Sequence, residues 1–248
     1  MRAKVDATLN RSPPNSTSPI TEEDLHHLPE PVQRYLRSVG IVGKRRIRTA
    51  RQRQKGFFRM KQGGRWLPFS AEQHITTDPP GFVWRANIQF LPVVNLSVTD
   101  LFARGHGELQ AKLFSFLKVA GASGPETDQG ELLRYLAEIA WFPTAWLSPY
   151  LEWESIDARS AKVTLHLSSL KVLAVLHFDD DSRLCNVTAQ RYMIDAGRFL
   201  LREWCGQFSE YRPIAGMLIP ARANVLWHLE AGDFEYFRGQ VTEVEYDI

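Results

Sequence analysis

The stretch FVWRANIQF, residues 82–90, puts Phe82, Trp84, Ala86, Ile88 and Phe90 on one side of an extended chain and Val83, Arg85, Asn87 and Gln89 on the other. A period of two marks a half-buried β-strand, because successive side chains point to opposite faces. The alternation returns in AKVTLHLS (161–168), where Val163, Leu165 and Leu167 face inward and Lys162, Thr164 and His166 outward. It returns again in ANVLWHL (223–229) with Val225, Trp227 and Leu229. Between such runs stand KQGG (61–64), DPPG (78–81), SSLK (168–171), DDDSR (179–183) and EAGD (230–233), the punctuation that hairpins require. Counting runs and turns predicts about ten or eleven antiparallel strands.

Against this period stands LLRYLAEIAWFPTAWLSP, residues 132–149. Thr127 or Asp128 can cap a helix from about Gly130 to Phe142, which Pro143 stops, with 121–130 as the loop that leads into it. Leu132, Leu133, Leu136, Ala137, Ile139 and Ala140 make a broad apolar face, with Arg134, Glu138 and Trp141 behind it and Trp146, Tyr150 and Trp153 downstream. A helix this apolar lies against sheet on one side and against further aromatic rings on another. Two arrangements satisfy that: a curved sheet whose concave face is roofed by helices over a cavity, or the same layers packed with no space left.

Near the start, Thr21 can cap a first helical turn, and PVQRYLRSV forms a second helix with Pro31 in its first turn and Gly40 at its end. Val32, Tyr35, Leu36 and Val39 form one stripe of it. Residues 1–20, rich in Pro, Ser, Thr and Asn, are expected to be a disordered tail. The expectation is an α+β fold, a highly twisted antiparallel β half-barrel of about ten strands with helices on its concave face. It occupies 21–248 as one domain with a helical insertion at about 121–150, and no repeat or linker divides it.

Composition narrows the function classes. The chain has 248 residues, 44% hydrophobic and 23% charged, with a net charge of +2, which gives no general argument for a nucleic-acid partner. No apolar run is long enough for a signal segment or a spanning helix, so a soluble, cytoplasmic protein is the default expectation, with the periplasm open if an export segment has been trimmed away. Cys185 and Cys205 are too far apart for a CxxC motif, which leaves two free thiols or one disulfide between neighbouring strands. The seven His are scattered without HExxH or a Cys/His cluster, so neither metal nor cofactor is expected. Gly121-Ala122-Ser123-Gly124 is one residue short of a nucleophile elbow, and no Walker or GxGxxG loop occurs.

The C-terminal pattern of strand, Gly216-x-x-x-Pro220, strand, Gly turn and closing strand resembles the half-barrel of the LolA-type lipoprotein carriers. More closely, the span from about Leu28 to Ile248 resembles a bacterial family of unknown function. LPEPVQRYL (28–36), GFFRM (56–60), RWLPFSAEQ (65–73), GFVWRA (81–86), RGHGELQAKL (104–113), LLRYLAEIAWFP (132–143), WESID (153–157) and GMLIPARANVLW (216–227) carry that resemblance. The carrier resemblance implies an incomplete barrel with a helix-closed hydrophobic cavity able to take an acyl chain. The family itself implies no activity. The chain's start shows neither a signal peptide nor a lipid-attachment Cys, and both absences argue against a role in lipoprotein traffic.

Candidate sites follow from parity and the helical wheel. Trp84, Ile88, Phe90, Leu113, Trp141, Trp146 and Trp227 are the expected lining for a hydrophobic or lipid-like molecule, with Arg85 or Arg134 as a headgroup contact and Glu138 beside them. Asp100, His106 and Glu108 supply acid–base types, and an enzyme using Asp100, His106 or Glu138 is the alternative. In a hairpin, Asp100 instead bonds backbone donors, and the Arg134–Glu138 pair anchors the helix. The cationic run GKRRIRTARQRQKG (43–56), from Lys44 to Lys55, puts charge on both faces of a strand. That suits a solvated sheet edge, or a weak contact with an anionic surface in a scaffold protein. It has no interleaved aromatics for nucleic-acid stacking.

Overall fold

Strand β1 (Thr49–Phe58) pairs antiparallel on one side with β2 (Leu67–Thr77) and on the other with β13 (Phe234–Tyr246), the last strand of the chain. A computed structural model describes residues 18–91, 94–113 and 117–248. From β1 the chain meanders outward through β2, β3 (Pro80–Leu91), β4 (Val94–Ala103) and β5 (His106–Leu113) to β6 (Leu117–Ser123) at one edge. From the other edge it returns through β7 (Leu151–Asp157), β8 (Ser160–Leu167), β9 (Leu170–Phe178), β10 (Leu184–Asp195), β11 (Arg198–Ile214) and β12 (Met217–His228) to β13. The thirteen described strands form one antiparallel sheet that curls through 251°, a half-barrel.

The two meanders end on opposite edges, so the link between them must cross the concave face. Helix α2 (Pro125–Glu138) and the 3-10 turns Ile139–Trp141 and Pro143–Leu147 make that crossing. This is the apolar segment singled out in the sequence, and its roof position is as expected. Helix α1 (Glu30–Ser38), with Gly40 left-handed at φ 79°, buries Val32, Tyr35, Leu36 and Val39. At the β1–β13 seam Gly56 faces Gly239, and a Cβ on Gly56 would fall 1.9 Å from the Arg238 carbonyl oxygen. Glycine is required there so that the two backbones can approach.

Several expectations need correction. The helix starts at Pro125, with Gly124 before it, rather than near Gly130, and β6 occupies part of the expected loop. Asp128 does not cap it; its carboxylate instead accepts the Gly107 backbone N–H at 2.7 Å. The count of strands exceeds ten in part because β6 is exposed on both faces and leaves no alternation to count, and β7 alternates only over Leu151–Glu154. The cationic run is not an edge: β1 lies at the centre of the sheet with Ala50, Gln52 and Gln54 inward and Arg51, Arg53 and Lys55 outward. The expected tail ends early, since Ile20 is buried and exchanges backbone hydrogen bonds with Gly43 and Lys44, while residues 1–17 lie outside the described residues. Cys185 and Cys205 are free thiols.

The roof is sewn down by side chains. Trp146 is fully buried, stacked on Trp153 at 5.3 Å and tilted against Tyr35 at 4.6 Å, and its Nε1 donates to the Ile139 carbonyl. Trp141 Nε1 donates to the Pro220 carbonyl at 2.9 Å, and the Tyr246 hydroxyl donates to the Trp141 carbonyl at 2.7 Å. Replacing Trp146→Ala is predicted to cost roughly 3–5 kcal/mol, the usual range for emptying a buried indole site. Urea denaturation checks this, and a loss below about 1 kcal/mol would show that the ring does not hold the roof.

Candidate functional site

Most of the expected lining residues come together on the concave face, but as packed rings rather than as cavity walls. Trp84, Ile88, Trp141, Trp146 and Trp227 are all buried in one apolar core. Trp84 meets Phe69 edge-on at 6.0 Å, Trp141 meets Phe208 at 5.8 Å, and Trp227 stacks on Tyr236 at 6.1 Å. Three positions fall outside this arrangement. Phe90 is 39% exposed because the alternation of β3 outruns the roof that would cover it. Leu113, at the end of β5, is half-buried. Arg85 has the opposite parity to Trp84 and sits across from Glu72 and Thr99 on the convex side.

Beneath the roof the sequence reasoning missed a buried polar network. Gln52 Nε2 donates to Gln73 Oε1 at 2.8 Å, and Gln73 Nε2 donates to Glu138 Oε2 at 2.6 Å. Glu138 Oε1 accepts from Arg134 Nε at 2.8 Å, and Arg134 also pairs with Asp100. The Arg134 guanidinium rests over the rings of Phe82 and Trp84, 4.8 and 5.0 Å from their centroids. Trp84 Nε1 donates to Gln54 Oε1 at 2.9 Å. On the far limb of the barrel Arg191 reaches Glu131 at 3.4 Å, the Gly130 carbonyl at 3.2 Å and the Tyr236 hydroxyl at 3.3 Å. The helix is thereby tied through charge to β4 on one side and β10 on the other.

Three carboxyls, Asp100, Glu131 and Glu138, thus face two guanidiniums, Arg134 and Arg191. Burial, and then the negative charge of Asp100, raise Glu131 from an ordinary 4.5 to about 8, while Arg191 and Arg134 pull the other way. Asp100 Oδ1 and Glu131 Oε2 are both buried without another hydrogen-bond partner, and one proton held between them satisfies both. That protonated carboxyl leaves two negative charges against two positive ones. Asp100 accordingly bonds a guanidinium, not backbone donors as expected, and the Arg134–Glu138 pair is buried, at 17% and 12% side-chain exposure.

The acid–base candidates do not converge. Asp100 points into the core, whereas His106 is exposed on the β4–β5 turn with its Nδ1 3.5 Å from Asp128 Oδ2. His106 and Glu108 border a cleft of about 650 Å³ on the outside of that turn, which Asp100 and Glu138 do not reach. No group of three or more His, Cys, Asp or Glu able to hold a metal occurs among the described residues.

Space for a guest lies at the mouths of the half-barrel. At one rim a cleft of about 560 Å³ is walled by Arg46, Arg48, Asp78 and Asp247 together with the apolar Ile47, Leu147, Leu151 and Ile248. At the other, a cleft of about 500 Å³ runs between the β1–β2 turn, the β10–β11 hairpin and the β12–β13 turn. Its walls include Met60, Met193, Leu200, Leu229 and Phe234, with Lys61, Arg202, Asp195, His228 and Glu230 at the side. Met193 pairs with Leu200, and both share the face of Trp204, while Phe234 pairs with Trp227. This wall therefore continues the aromatic core that holds the expected residue Trp227. Leu229 was the only wall residue that period-two reasoning marked; Met193 and Leu200 lie in RYMIDAGRFLL, where apolar side chains fall on both faces and hide the parity.

The family model of a family of unknown function, DUF6544, matches residues 18–239. The chain belongs to that family. Among solved structures the fold is similar to a LolA superfamily protein from Nitrosomonas europaea, at 11% identity and a TM-score of 0.47 over 91% of this chain and 93% of that one. It is also similar to a DUF1329 family protein from Desulfovibrio piger, at 11% identity and a TM-score of 0.46 over 88% and 92%. No curated protein matches the chain. No described helix is long and apolar enough to cross a membrane.

The network makes stability depend on pH in a definite direction. A carboxyl whose folded value is raised contributes stability that is complete below its unfolded value, near 4.5, and is lost as pH rises through about 8. Thermal melts of the wild type are predicted to fall over that window, whereas Glu131→Gln, which mimics the protonated carboxyl, flattens the profile and melts higher at the alkaline end. A Glu131→Gln protein with the wild-type slope would show that Glu131 is not the titrating group.

Proposed function

We propose that the protein binds a hydrophobic or lipid-like small molecule without chemistry, taking it into the apolar mouth between the β1–β2 turn and the β10–β11 hairpin. The observation that carries this reading is the cleft of about 500 Å³ whose wall of Met193, Leu200, Leu229 and Phe234 opens onto the buried aromatic core. Its volume lies within the range of small-molecule sites, roughly 300–1,000 Å³. Each buried methylene is worth about 0.8 kcal/mol, so ten of them reach the micromolar range with no polar code. Met60 and Met193 suit a guest of variable shape, because an unbranched thioether side chain repacks easily. Lys61, Arg202, Asp195 and Glu230 stand where a polar headgroup would emerge. Trp227, Trp84 and Ile88 form the floor behind the mouth in this reading, and Arg134 and Glu138 lock the roof rather than touch the guest.

Native mass spectrometry of gently purified protein is predicted to show a non-covalent lipid adduct, and a long-chain fatty acid is predicted to bind the delipidated protein. Leu200→Trp fills the mouth and is predicted to weaken fatty-acid binding at least tenfold while the melting temperature stays near that of wild type. Absence of both adduct and fatty-acid binding, or undiminished binding by Leu200→Trp, overturns the reading.

A further inference from the structure

In an antiparallel meander every second turn emerges at the same end of the sheet. The turns after β1, β10 and β12, the end of β3 and the start of β6 therefore share one rim. That rim carries an unusual load of uncovered apolar side chains: Met60, Phe90, Leu91, Leu117, Ile194 and Leu201 are between 39% and 57% exposed. Of the other large apolar side chains left exposed among the described residues, Phe57 and Val119 lie close to the same rim and Leu173 is mid-strand, while Val42 and Ile156 lie toward the opposite one. An apolar surface of this kind on a water-facing protein marks an interaction site.

The charge around it says what it fits. Lys61, Arg65, Lys118, Arg198 and Arg202 stand at or beside the same turns, against Asp195, Glu203, Glu230 and Asp233. None of these five makes an ion pair with a carboxylate among the described residues. Arg51 and Arg53 on the convex face do, with Glu245 at 2.6 Å and Glu243 at 2.9 Å. Arg65 instead lies 5.3 Å over the Phe90 ring and bonds the Phe90 carbonyl. Trp66, one residue on, carries two guanidiniums on its ring, Arg59 at 4.6 Å and Arg238 at 4.3 Å. Protruding apolar tips, unpaired cations beside them and a half-buried Trp just behind match the layers of an anionic bilayer surface: acyl boundary, phosphate and interfacial region.

We infer that this rim docks on an anionic lipid bilayer, with Met60, Phe90, Ile194 and Leu201 entering the headgroup boundary and Lys61, Arg65, Arg198 and Arg202 meeting phosphates. The protein is peripheral in this arrangement, and the apolar mouth faces the bilayer. The inference does not depend on what the mouth holds.

Co-sedimentation with vesicles tests it, comparing phosphatidylcholine alone with phosphatidylcholine containing about one-third phosphatidylglycerol. Binding is expected to the anionic vesicles, at least tenfold weaker to the neutral ones, and released when salt is raised from about 0.05 M to about 0.5 M. Arg198→Glu and Leu201→Asp lie outside the walls of the mouth and are each expected to weaken vesicle binding roughly tenfold without changing fatty-acid affinity or the melting curve. Val42→Asp, toward the opposite rim, is expected to bind as wild type. No binding to anionic vesicles, equal binding to neutral ones, or a loss in Val42→Asp matching that in Arg198→Glu overturns the inference.

Discussion

The pairing of the first strand with the last fixes the rest of the molecule. Because β1 joins β13 at the centre of the sheet, the two six- and seven-stranded meanders grow outward and finish on opposite edges. The chain between β6 and β7 can rejoin them only by crossing the hollow of the curled sheet. Everything distinctive about residues 125–147 follows from that route. The segment must be apolar nearly all round, since it meets strands on both limbs, and it must bring its own partners for the polar groups it buries. Trp141 and Trp146 spend their indole N–H groups on the Pro220 and Ile139 carbonyls, and Thr144 takes the Ile47 N–H. The facing Gly56 and Gly239 let the seam close, so the same junction that sets the topology also permits the backbone approach it needs.

A roof held only by dispersion could slide along the concave face, since apolar contacts are non-directional. The network of Gln52, Gln73, Glu138, Arg134, Asp100, Glu131 and Arg191 removes that freedom by giving the helix fixed partners on β2, β4 and β10, with Gln52 of β1 holding Gln73 in place. Buried ionic groups contribute little net stability compared with apolar replacements, and their effect here is on position. The odd number of charges is the weak point of the arrangement. Three carboxyls face two guanidiniums, and Glu131 is the one that burial and the charge of Asp100 drive to hold a proton.

The curled antiparallel sheet, the apolar roof and the α1 stripe were legible in the sequence because each repeats at a fixed period over many residues. Val32, Tyr35, Leu36 and Val39 are buried as the stripe implied, and Phe82, Trp84, Ala86 and Ile88 as the alternation implied. What escaped is what breaks the rule that inward means apolar. In ARQRQKG the inward residues are Gln52 and Gln54, so a central strand looked like a solvated edge. A separation of cations from glutamines at period two was present in those letters, and it is the one trace of the network that one sequence contains. The pairing of Asp100 with Arg134 and of Glu131 with Arg191 joins residues 34 and 60 positions apart, and no local pattern encodes that. Phe90 failed for the opposite reason: its parity was right, but parity cannot say where along a strand the cover ends.

The two ends of the half-barrel are built to different rules, and that difference bears on how a guest would move. At the rim near β1's start, α1 and polar side chains close the layers over a cleft that Arg46, Arg48 and Asp247 share with Ile47, Leu147 and Ile248. At the other rim the roof stops short, and the concave face continues past Trp204 and Trp227 to Met193, Leu200 and Leu229 with no helix over it. Apolar surface left uncovered at a rim is a standing cost in water that covering the face would remove, so its persistence on several separate turns needs a use. A non-polar solvent or ligand meeting that end converts the cost into binding free energy, and the unpaired cations beside it select a negatively charged one. An apolar molecule released from such a surface would meet the mouth first and the locked roof second, so the buried network restrains how far it can travel inward.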